Sequence, residues 1–112
     1  MRVLVCGGRN YFNRRYLYVT LDGLETKPTV IIHGDYSGAD DFAKQWAKLR
    51  GVTEAPFPPD WKKHGRAAGP IRNQQMIDEG APDLVVAFPG QVGTADMVRR
   101  AHSAGIKVLD LR

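Results

Sequence analysis

Three loops in this sequence combine glycine with residues able to hold an anion or a sugar. In Gly7-Gly8-Arg9, two small residues let a ligand approach the main chain and a guanidinium stands beside them. In Gly34-Asp35-Tyr36-Ser37-Gly38-Ala39-Asp40, Ser37 is placed to cap a helix, with Asp40 three residues later closing a variant capping box. Asp40 and Asp41 would repel phosphate at that helix end, so Asp40 suits a ribose, a base or a structural bond. In Pro89-Gly90-Gln91-Val92-Gly93-Thr94-Ala95-Asp96, free backbone N–H groups leading into a helix form an anion site. Thr94 either caps that helix or binds the anion through its hydroxyl, and Asp96 favours a hydroxyl-bearing ligand such as a sugar.

Arg72 stands apart from these loops. Gly69-Pro70 predicts a helix beginning at Pro70 and running to Gly80. Arg72 then lies in its first turn, where the macrodipole disfavours a cation. A guanidinium and a helix N-terminus together would clamp an anion; the bland alternatives are a solvated arginine or an ion pair with Asp96 or Asp40. Cys6 ends an apolar run and belongs to a core. His33 and His64 lack metal-ligand spacing, so neither a metal nor a bound cofactor is expected. G-x-G-x-x-G, Walker A and G-x-S-x-G patterns do not occur. Trp61 either stacks on a base or pins the proline-rich stretch around it.

Strands must position these loops. Val3-Leu4-Val5, Val30-Ile31-Ile32 and Leu84 to Phe88 are continuous apolar runs, as expected of strands buried on both faces. A weaker strand spans Val52 to Phe57, and Val108, Leu109 and Leu111 form the last. Between them, helical stripes recur at Leu17, Leu21 and Leu24, at Ala39, Phe42, Ala43, Trp46 and Ala47, and at Met97, Val98, Ala101 and Ala104. Lys44, Lys48, Arg99 and Arg100 fall outside the stripes and read as solvated. The alternation predicts an α/β fold: a single Rossmann-like open parallel sheet of about five strands with helices on both faces. Ligands bind such sheets outside the carboxyl ends of the strands, where all three glycine loops fall.

The 112 residues suit one domain spanning 1–112. No apolar run approaches the roughly 18 residues of a membrane span, and the amino-terminal run is too short for a secretory signal. One cysteine suits a reducing cytoplasm, so the expected location is cytoplasmic and no membrane partner is expected. Sixteen Lys and Arg against twelve Asp and Glu give +4, a modest pull toward anions.

The stretches VLVCGGR, HGDYSGADDFAKQWA, DWKKHGRAAGPIRNQQM and AFPGQVGTADMVRRA together resemble the SLOG superfamily. That group joins the Lonely Guy phosphoribohydrolases, the DprA/Smf proteins and a small stand-alone branch related to YspA and cpYpsA, to which the likeness is greatest. The resemblance implies a Rossmann-like domain for a nucleotide or nucleotide derivative, and a homo-oligomer. The Lonely Guy enzymes carry R-K-x-x-M and P-G-G-x-G-T-x-x-E. Here Arg72-Asn73-Gln74-Gln75-Met76 keeps the arginine and methionine, and the segment from Pro89 keeps Pro89, Gly90, Gly93 and Thr94. Gln91 replaces a glycine, and Met97 replaces a glutamate implicated in the family's catalysis. Methionine transfers no proton.

The expected function is therefore binding of a nucleotide-derived small molecule, a nucleoside phosphate or an ADP-ribose-like species, by a sensing or sequestering domain. Gly7, Gly8, Gly34, Gly38, Pro89, Gly90 and Gly93 would admit it, Arg9 or Arg72 would hold phosphate, and Asp40, Asn73 and Thr94 would bond it. The alternative is a nucleotide N-glycosidase with Arg72 and Asp96 as catalytic residues. A third reading, single-stranded nucleic-acid binding through Trp61-Lys62-Lys63-His64-Gly65-Arg66, is not the expectation because the charge is small and dispersed.

Overall fold

The computed structural model describes all 112 residues. Strands β1 (Arg2–Cys6), β2 (Val30–His33), β3 (Thr53–Pro56), β4 (Leu84–Ala87) and β5 (Lys107–Asp110) form one parallel sheet in the order β3-β2-β1-β4-β5. Every pairing is parallel, with Leu4 of β1 between Ile32 of β2 and Val85 of β4. β1 sits at the centre, and its Val3, Leu4 and Val5 are fully buried. The edge strands β3 and β5 are only half covered, so their apolar content is lower.

Alternation along the strands divides the core in two. Val3, Val5, Ile31, Leu84 and Val86 face helices α1 (Arg14–Asp22) and α2 (Ala39–Arg50), which contribute Leu17, Leu21, Ala43 and Trp46. Leu4, Cys6, Ile32, Val85 and Ala87 face α4 (Ala68–Asp78) and α5 (Val92–Ser103), which contribute Met76, Ile77, Met97, Val98 and Ala101. Burial of each Val, Leu, Ile or Met side chain among these is worth roughly 1.5–3 kcal/mol. Ala104 ends α5 and is exposed rather than part of the stripe.

The stretch between β3 and α4 is not simply irregular. It holds a one-turn helix α3 (Trp61–His64), capped by Asp60 accepting from Lys63 N–H, and then a 3₁₀ turn over Gly65–Ala67. α4 therefore begins at Ala68, two residues before Pro70, and ends at Asp78. Proline is tolerated there because first-turn N–H groups have no intrahelical acceptor to lose. As a result Arg72 is the fifth residue of α4, outside the first turn, and no helix-end clamp forms around it. No helix is long and apolar enough to cross a membrane.

Candidate functional site

Strand order reverses at β1: β2 and β3 extend to one side, β4 and β5 to the other. Such a reversal opens a crevice at the carboxyl edge, where ligands of open α/β sheets bind. Here the loops after β1 and β4 meet, with Gly8 N–H donating to Pro89 O and Phe88 N–H to Cys6 O, both at 2.9 Å. A Cβ on Gly7 would lie 2.6 Å from that of Ala39, one on Gly8 3.2 Å from Pro89 O, and one on Gly90 2.7 Å from Gly8 N. At Gly34 a side chain would strike Arg72 and Asp40; at Gly38, whose φ is +75°, it would strike the Gly8 and Arg9 backbone. These five glycines bring protein loops together. Gly93, in contrast, has open space beside its Cα.

The two helix N-termini at this edge differ. α2 is capped by Gly38, without a side-chain cap, so Ser37 does not perform that role. Its Ala39 N–H donates to Gly8 O at 3.2 Å, and Asp40 and Asp41 occupy its first turn. That end is blocked to anions. α5 starts from Gln91, has no side-chain cap and carries no acidic residue in its first turn. Thr94 is its third residue, buried against Gly90 rather than capping the helix. The first N–H groups of α5 thus stand at the β1/β4 edge without intrahelical partners.

Arg72 reaches back from α4 to the loops after β2 and β3. Its Nη1 donates to Gly34 O at 2.5 Å and to Phe57 O at 3.4 Å, and its Nε to Asn73 Oδ1 at 3.2 Å. Nη2 has no protein partner. Asp40 lies on the same side of Gly34, its Oδ2 crowding the position a Cβ would take there, and is only 8% exposed. Burial raises its pKa to about 6, against the opposing pull of Arg72, His33 and the backbone of Gly34 and Tyr36. Burial lowers Arg72 from its ordinary value, with Asp40 and Tyr36 opposing. Arginine nonetheless stays charged. Fully buried His33 accepts from Asp35 N–H at Nδ1 (3.0 Å), which leaves Nε2 to donate to Glu54 Oε1 at 3.0 Å. Sequence reasoning missed this bond, although Glu54 on a strand facing the core was its signal.

Asp96 is bound up elsewhere. It pairs with Arg99 and with Arg100, the latter at 2.8 Å, and accepts from Asn73 Nδ2 at 3.0 Å. Burial raises its pKa, but the hydrogen bonds from Arg100, Asn73 and Arg99 outweigh that and hold it below the usual carboxylate range. Arg99 and Arg100 are therefore not simply solvated, nor is Lys44, which lies 3.6 Å from Asp35. Arg72 forms no ion pair with Asp96. Buried Asn73 connects the two systems: its Oδ1 receives Arg72, while its Nδ2 reaches both Asp96 and Gly93 O (3.2 Å) in the first turn of α5. Met97, at the family's glutamate position, is buried in the core.

Arg9 is exposed on the loop after β1. Cys6 is buried, and burial pushes its thiol well above the ordinary range, which argues against a nucleophile. No group of three or more His, Cys, Asp or Glu is arranged to hold a metal ion. A surface depression lies away from the crevice, over the outer side of α4, between His64, Ile71, Gln74, Asp78 and Arg100. It is a wide polar groove, and the strand-end chemistry described above is not in it.

Comparison with known proteins bears on the fold and the family of this chain. The chain is 39% identical over 119 residues to the Gene 61 protein of Mycobacterium phage D29, covering 97% of this chain and 94% of that one. The crystal structure of TM1055, from a structural genomics consortium, superposes with a TM-score of 0.68 at 21% identity, over 95% of this chain and 71% of that chain. That likeness establishes the Rossmann-like fold. The profile of the YspA, cpYpsA-related SLOG family (YAcAr) matches residues 1–64, which carry the first two glycine loops and the whole of α2. With the matching relative and the shared fold, the chain belongs to the YspA, cpYpsA-related SLOG family.

Proposed function

We propose that the chain binds a nucleotide-derived phosphate ester, a nucleoside phosphate or ADP-ribose-like species, at the carboxyl edge between β1 and β4. It would serve as a sensing or sequestering domain. The observation that carries this reading is the α5 N-terminus: uncapped, free of acid in its first turn, and opening beside Gly93 at the reversal of strand order. Arg72 supports it with an unused Nη2, and exposed Arg9 adds positive charge at the same edge. Asp40 would accept from a ribose hydroxyl. Calorimetry and thermal unfolding with AMP, ADP, ADP-ribose and ribose 5-phosphate test the proposal. A true ligand at a hundredfold excess over its Kd stabilises the fold by about 2.7 kcal/mol. If none of the four shifts Tm or gives a binding heat, the proposal fails.

A second reading, hydrolysis of the N-glycosidic bond, gains one specific point. The carboxyl group suited to proton transfer is Asp40, with a pKa of about 6, rather than Asp96, which its arginine partners keep ionised. Release of free base from a nucleoside monophosphate, abolished in Asp40→Asn and retained in Asp96→Asn, is the result this reading requires.

A further inference from the structure

The two tryptophans of the chain are in opposite situations. Trp46 is 3% exposed, and its Nε1 donates to Asp22 at 2.9 Å, the arrangement of an anchor. Trp61 is 49% exposed, and no hydrogen bond holds its N–H. Its ring rests on the first turn of α4, where Cη2 would be 3.7 Å from a Cβ on Gly69. Gly69, Arg72 and Asn73 share one face of α4 by their i, i+3, i+4 spacing. Asn73 in turn touches Gly93 in the first turn of α5. Gly69 and Asn73 stand one helical turn, about 6 Å, apart along α4, so one helix face joins the tryptophan platform to the first turn of α5.

The charge around Trp61 fits the nucleotide ligand proposed above. Lys62, Lys63 and Arg66 are exposed and make no salt bridge, while Asp60, the nearest acid in sequence, accepts from Lys63 N–H as the cap of α3. An exposed aromatic ring among unpaired cations stacks a base and holds its phosphates nearby. We propose that Trp61 is the base-stacking residue of the carboxyl-edge site, so that the ligand class is a nucleotide with an intact aromatic base rather than a bare sugar phosphate. This inference rests on the binding reading above.

The experiment titrates the full chain with ADP-ribose and with ribose 5-phosphate, following binding by calorimetry and tryptophan emission in parallel. ADP-ribose is expected to quench the wild-type emission and to leave that of Trp61→Leu unchanged. Trp61→Leu should weaken ADP-ribose on the order of tenfold, the usual loss when a stacking ring is removed, while leaving ribose 5-phosphate within about twofold. Trp61→Tyr, which keeps a flat ring, should recover most of the affinity. Equal ADP-ribose affinity in wild type and Trp61→Leu overturns the role of Trp61 and leaves the binding site standing. No binding heat in the wild type from either compound, nor from AMP or ADP, overturns both.

Discussion

Single residues at this edge differ most in how they meet water. Asp40 is ionisable yet buried, and its folded pKa of about 6 lies above the ordinary 3.8. Between those values the folded chain holds a proton that the unfolded chain has lost. Stability contributed by the protonated form is fully present below about pH 4 and is lost as pH rises through 6, a span of about 3 kcal/mol. Urea midpoints measured from pH 4 to pH 7 should fall less steeply in Asp40→Asn than in wild type; parallel slopes would place the titration on another group. Met97 permits a sharper test. Met97→Glu restores the family's glutamate on paper, but the position is 1% exposed and faces Leu4, Cys6 and Val85 across the second core. The variant should lose roughly 3–5 kcal/mol of stability by urea denaturation and gain no base-releasing activity.

At the level of elements, the start of α5 carries most of the functional argument. Gln91→Asp would place a capping carboxylate where none now exists, bonding the orphan amides of the first turn. The expected outcome is a pair of opposite changes: about 1 kcal/mol more stability, with weaker binding of AMP or ADP-ribose by calorimetry. Greater stability with unchanged affinity would move the phosphate elsewhere. Elements were also what the sequence disclosed best. β1, β2 and β4 are read easily because strands buried on both faces leave continuous apolar runs. α4 was misplaced at its start because Gly69-Pro70 imitates a helix beginning, while the chain had already entered helical geometry at Ala68. The pairing of Asp96 with Arg99 and Arg100 had a signal in their i+3 and i+4 spacing, yet the sequence reads both arginines as solvated and offers Arg72 as the partner. The bonds of Arg72 to Gly34 and of Asn73 to Gly93 were not legible, because they join segments whose proximity depends on the completed sheet.

For the whole molecule, the sheet order explains why one edge collects the candidate residues. All five strands run the same way, so the loops after β1, β2, β3 and β4 emerge together. Their cations, Arg9, Lys62, Lys63 and Arg66, are exposed, and exposed charges are screened over about 8 Å at physiological ionic strength. ADP-ribose binding should therefore weaken between 50 and 500 mM salt, roughly and without a change in fold; an affinity indifferent to salt would assign the recognition to the backbone amides alone. The central strand has one more consequence. Cys6 closes β1, is buried beside its partner Ala87 of β4, and is the sole thiol in the chain. Its side chain packs against α4 and α5, so a thiol-directed reagent reaches it only when that core opens, and the rate of Cys6 alkylation times that opening, a clock supplied by the native protein without any label added.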